Sequence, residues 1–173
     1  MALTLNVVVH GVYRYAETWE EMSALIAEVM DNLKSEEVGG PGISPGEQAC
    51  FMFADGRHTV NSCDRWPGNY LYVAVNRSTG FGGLTWFVNT ERAARENDGI
   101  SEYIWVSDNP SPPDRDPRVV SDPGCPLFYD RRSAVPIERV RVVLNNFCRV
   151  GTGARPVGVD WVHGEMNGRR LDG

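Results

Sequence analysis

The chain has 173 residues, 42% of them hydrophobic, with 23 acidic and 17 basic side chains and a formal net charge of −6. That length and apolar content fit one domain with a substantial core, burying roughly 70% of the unfolded surface, and they argue against intrinsic disorder. No apolar run approaches the roughly 20 residues of a membrane span, and the acidic balance repels nucleic acid while favouring a basic partner.

In chain order, residues 3–15 are rich in β-branched and aromatic side chains and predict a strand. Residues 1–10 lack a basic n-region, so the expectation is a strand rather than a signal peptide, and a cytoplasmic location. Thr18 and Glu21 have capping-box spacing, in which each side chain satisfies a backbone N–H at a helix start. Trp19, Met22, Ile26, Val29 and Leu33 then recur at three- and four-residue steps, giving one apolar face. Between residues 17 and 37 lie seven acids (Glu17, Glu20, Glu21, Glu28, Asp31, Glu36, Glu37) against the single base Lys34. Glu20, Glu28 and Asp31 make this helix one candidate partner surface; a solvated face is the plainer reading. Gly39, Gly40, Pro41 and Gly42 are expected to end the element.

Residues 48–54 predict a short strand ending at the turn pair Asp55-Gly56, followed by a polar connection. Residues 70–76 predict the clearest strand, returning through a loop into residues 83–88, with Gly80, Gly82 and Gly83 free to take positive φ. Residues 100–106 suggest another strand. From 107 to 126 there are six prolines and no periodicity, excluding helix and interior strand. Such a loop is uncommon in a compact domain and usually functional or disordered. It carries Asp108, Asp114, Asp116 and Asp122, with Trp105, Phe128 and Tyr129 at its margins. Carboxylates attract a basic groove, prolines limit the entropy lost on docking, and aromatic residues supply desolvated anchors. A short strand at 127–129 precedes a helix with Pro136 in its first turn and a stripe of Ile137, Val140, Leu144 and Phe147. Gly151 and Gly153 stop that helix, residues 157–162 form a closing strand, and 164–173 are expected to be a loose tail. The pattern predicts a single α+β domain over residues 1–163, mostly antiparallel sheet with two amphipathic helices packed on it.

No catalytic set assembles. His163-Gly164-Glu165 resembles the H-x-E element of zinc deaminases, but no paired cysteines follow it. His58 and Cys63 are neighbours in a polar loop without a nucleophile motif, and Cys50, Cys63, Cys125 and Cys148 are expected to be free thiols. Gly80-Phe81-Gly82-Gly83 runs into a strand, whereas a phosphate cradle runs into a helix. The expectation is a non-enzyme needing no cofactor and no metal.

Three segments carry a resemblance to a known family. They are the hairpin of residues 72–86 with Gly82-Gly83-Leu84, the helix entry Val135-Pro136-Ile137, and the exit Gly153-Ala154-Arg155-Pro156 into Val157-Gly158-Val159-Asp160-Trp161. The chain is similar in these to the Imm1 immunity proteins, as is its opening strand leading into an acidic helix. The proline-rich loop and the tail look larger than the family's usual form. The resemblance implies an antitoxin of interbacterial competition that blocks a cognate protein toxin, commonly a nucleic-acid deaminase. A small-molecule or peptide-binding module is the alternative.

Overall fold

The computed structural model describes residues 2–42, 44–61 and 67–173. The opening apolar run is two strands, β1 (Thr4–Val9) and β2 (Val12–Ala16), paired with Val9 opposite Val12. His10 and Gly11 both take left-handed backbone (φ 53° and 70°), the geometry of a two-residue hairpin turn. One expected strand is therefore folded back on itself. Helix α1 (Trp19–Asn32) begins at the anticipated capping box, with Thr18 and Glu21 bonding each other's backbone. It ends before the glycine cluster, because the Arg77 guanidinium donates to the carbonyls of Met30 and Leu33 and satisfies the helix terminus early.

The chain continues as β3 (Ala49–Ala54), β4 (Asn69–Asn76) and β5 (Phe81–Val88), then α2 (Thr90–Glu96) and β6 (Trp105–Asp108). It closes with β7 (Val120–Asp122), β8 (Leu127–Phe128), β9 (Val135–Pro136), α3 (Ile137–Val150) and β10 (Asp160–His163). The main sheet runs β10-β6-β5-β4-β3-β1-β2, with β9 on β5 and every pairing antiparallel. The α+β architecture follows the sequence reading. Helix α2 is an addition: it buries no residue, so it has no apolar stripe to detect, and is held by an Asn89 cap and the left-handed Asn97. Residues 100–102 are a turn gathered on the Asp98 carboxylate, so β6 starts later than expected.

One face of the sheet carries α1 and α3. Leu5, Val7, Phe51, Phe53, Leu71, Val73, Leu84 and Trp86 meet Val140, Val143, Leu144 and Phe147 there, with the Phe53 and Phe147 rings 5.3 Å apart. Each such side chain contributes about 1.5–3 kcal/mol when fully removed from water. Gly82 lets α3 approach: a Cβ there would lie 2.7 Å from Val140 and 2.8 Å from the Ala74 carbonyl. Gly82 and Gly83 are thus strand residues chosen for close packing, and of the three loop glycines only Gly80 has positive φ.

The other face is covered by the proline-rich segment and the chain's last residues. Tyr129, Val119, Val120 and Ala134 pack on Ala74 and Val106. Residues 164–173, expected to be loose, are fastened: Gly168 lies against Ser121 and Tyr129, and Arg170 is buried. The Arg170 guanidinium reaches Asp108 at 2.7 Å and Asp172 at 2.6 Å, and these partners hold it firmly protonated. Arg170 is what ties this polar tail down.

Candidate protein-binding surface

The proline-rich segment is a strap rather than a free loop. Asn76 Nδ2 donates to the Pro117 and Arg118 carbonyls, Thr79 to Pro117, and Asn109 Nδ2 to Ala134. Arg118 lies 3.7 Å over the Phe128 ring and donates to Glu36, so the Phe128 anchor is covered from one side. Tyr129 is only 2% exposed; its hydroxyl shares a 2.7 Å hydrogen bond with Thr85, and burial pushes its phenol pKa up. It supports the strap from below and offers no surface to a partner.

The four candidate carboxylates have separate duties. Asp108 binds Arg170, Asp116 accepts from the Arg118 N–H, and Asp122 accepts from Gly124 and Cys125 in the β7–β8 turn. Asp114 is exposed and has no polar partner among the described residues. On α1, Glu28 is paired with Arg14 at 2.5 Å and Asp31 with Arg141 at 3.3 Å, while Glu20 has no ion-pair partner among the described residues. The Arg14 hydrogen bond holds the Glu28 carboxyl below its ordinary range. Much of the helix's charge is therefore neutralised within the fold.

The structure brings a different group together on the edge ladder of β6 and β10. His163 pairs with Trp105 and Asp160 with Asp108, at opposite ends of the two strands. The His163 ring is 4.1 Å from Trp105 and 4.6 Å from Tyr103, while the Arg155 guanidinium lies 4.2 Å over Trp105. Burial lowers the Arg155 pKa, and its Nη1 has no hydrogen-bond acceptor among the described residues. Trp105 Nε1 donates to the Ile100 carbonyl at 2.8 Å, which fixes the ring. At the far end Asp108 and Asp160 are directly opposite, a like-charge arrangement that destabilises a sheet. Arg170 compensates Asp108; Asp160 has no cation partner among the described residues. Both aspartates line a groove of about 630 Å³ with Phe81, Val135, Pro136 and Arg139.

Among the described residues, the chemistry-bearing side chains read from the sequence are engaged elsewhere. His58 is buried, its backbone held by Asn6 and Tyr15; Cys63 lies outside the described residues. Cys50, Cys125 and Cys148 are free, and burial raises the Cys50 and Cys148 thiols to about 12, leaving negligible thiolate at neutral pH. His163 is stacked on aromatic rings, and Glu165 faces Arg169 at 3.9 Å. Among the described residues no three His, Cys, Asp or Glu side chains converge as a metal site.

A family model described as immunity protein Imm1 matches residues 10–163. The chain belongs to the Imm1 family. No curated protein and no solved structure gives a significant match. Imm1 proteins are immunity proteins, which bind a cognate toxin. In this Imm1 chain the segments of resemblance are structural. Gly82 and Gly83 admit Val140 and the Tyr129 ring, the Gly153 carbonyl accepts from Trp86 Nε1 at 3.0 Å, and the Pro156 carbonyl accepts from Trp161 Nε1 at 2.9 Å. The sequence reading singles out Trp105 and Asp108 as partner candidates, takes His163 only as part of an incomplete metal motif, and assigns no such role to Tyr103 or Asp160. Only the β6–β10 register, across about fifty residues of sequence, unites them.

Proposed function

We propose that the protein protects a bacterial cell in interbacterial competition by binding a cognate deaminase-type toxin in the cytoplasm and occluding its active site or nucleic-acid groove. The Imm1 match over residues 10–163 carries this reading. The charge is consistent with it: a deaminase acting on DNA or RNA needs a basic channel, and a protein of net charge −6 competes for such a channel. Carboxylates without a cation partner among the described residues, such as Glu20, Asp114 and Asp160, supply the field that steers association. Trp105 and Phe128 are the partly exposed aromatic candidates, while Asp116, Asp122, Glu28 and Asp31 contribute to the field despite their internal bonds. An interface of ordinary size, roughly 1,600 Å², accommodates such a partner. The protein acts stoichiometrically and performs no catalysis.

Co-expression with the toxin encoded beside this gene tests the proposal. Growth should be restored in proportion to soluble immunity protein, and the two proteins should co-purify at a fixed ratio. Persistent toxicity despite abundant folded protein would end the proposal. The groove of about 630 Å³ between β10 and α3 favours the alternative of a small-molecule or peptide ligand. That alternative requires a ligand-dependent rise in Tm without a toxin partner.

A further inference from the structure

The β6–β10 ladder is an outer edge of the sheet, and its two ends differ in chemistry. At one end Tyr103 (49% exposed) and Ile100 (37% exposed) flank the His163–Trp105 stack. Three residue steps along, about 10 Å at 3.4 Å per residue and, by strand alternation, on the opposite face of the sheet, the exposed Asp160 lies beside a groove lined by Phe81 and Val135.

We infer that the toxin docks by straddling this edge, packing on the Tyr103–Trp105–His163 cluster on one face and placing an arginine or lysine beside Asp160 on the other. The inference rests on the immunity reading and narrows it to one edge of the molecule.

Three observations support it. Trp, Tyr and Arg dominate the energetic centres of protein interfaces, and this cluster contains one of each. The cluster is already rigid, since Trp105 is bonded to Ile100 and capped by Arg155, so little side-chain entropy is lost on binding. Finally, Asp160 has no ion-pair partner among the described residues, while Glu28, Asp31 and Glu36 are engaged in internal pairs. A basic side chain entering beside Asp160 supplies a charge partner and so complementarity.

The experiment measures binding to the purified, catalytically inactivated toxin domain encoded by the neighbouring gene. It compares wild type, Asp160→Lys, Tyr103→Ala and a charge-matched control, Glu37→Lys, on the connection after α1. Asp160→Lys should weaken binding at least about tenfold, mainly through slower association that becomes less different at high salt. Tyr103→Ala should weaken it by about tenfold or more through faster dissociation. Glu37→Lys should change it less than about threefold. Thermal melts verify folding; Asp160, exposed and without an ion-pair partner among the described residues, carries the test alone if Tyr103→Ala fails to fold. Tight wild-type binding with both ladder variants unaffected overturns the inference and leaves the immunity reading standing. Failure of wild type to bind or protect overturns that reading and the inference with it. A wild-type dimer that Tyr103→Ala converts to monomer assigns the edge to a second copy of the chain, which also overturns the inference.

Discussion

On one face of the sheet α1 and α3 bury aliphatic and aromatic side chains against β1, β3, β4 and β5; on the other a strap and the chain's last residues are fastened around Tyr129 by a few directed polar contacts. The helix face draws its stability from area, and its contacts are numerous and interchangeable. The strap face depends on single groups such as Asn76, Asn109 and Arg170, each satisfying backbone or charge at one place. The first arrangement tolerates volume-conserving change, whereas the second fails when one partner is removed.

That contrast can be broken by experiment. Phe147→Ala should destabilise most, by about 3–5 kcal/mol in urea denaturation, because it empties the space against Phe53. Arg170→Ala should cost about 2–3 kcal/mol, reduced from a fully buried pair because Asp108 and Asp172 are partly exposed. Its loss should appear first as faster hydrogen exchange in residues 117–130; uniform loss across the sheet would erase the distinction. Asn76→Ala, freeing the Pro117 and Arg118 carbonyls, should cost about 1–2 kcal/mol with the same local signature. Thr18→Ala should cost about 1 kcal/mol and leave strap exchange unchanged.

The smallest effect concerns pH. Arg132 and Arg170 hold the Asp130 and Asp172 carboxyls below the usual range. Their stabilisation is complete above the ordinary carboxylate range, near pH 4, and fades as pH falls through the depressed values. Strap exchange should therefore rise in acid before helix-face exchange does, and Asp172→Asn should flatten that dependence.

The parts legible in the sequence are those fixed by neighbours along the chain. Thr18 and Glu21 declare a helix start, the stripe through Phe147 declares α3, and the apolar runs on either side of Gly80 declare the β4–β5 hairpin. What escaped is decided across long separations. The end of α1 is set by Arg77, the tail's order by Arg170 reaching Asp108, and the edge cluster by the β6–β10 register. The β1–β2 turn escaped for a local reason: His10 adopts a left-handed conformation that its residue type does not announce. The strap also changes how its role is tested. Removing residues 111–120 would take buried Val119 and Val120 with it, so reversing the charge of Asp114 is the cleaner probe.

The closing turn at residues 153–156 has a consequence for engineering. A side chain at Gly153 would collide with Asn69, the Gly153 carbonyl holds the Trp86 indole, and Arg155 rests on Trp105. The same turn holds β10 through the Pro156 carbonyl and the Trp161 indole, and Val159 and Trp161 pack on the core. Residues 100–104 lie outside this clasp. Substitutions at the exposed Glu102 and Tyr103 should therefore leave the domain's stability nearly unchanged, which a thermal melt checks.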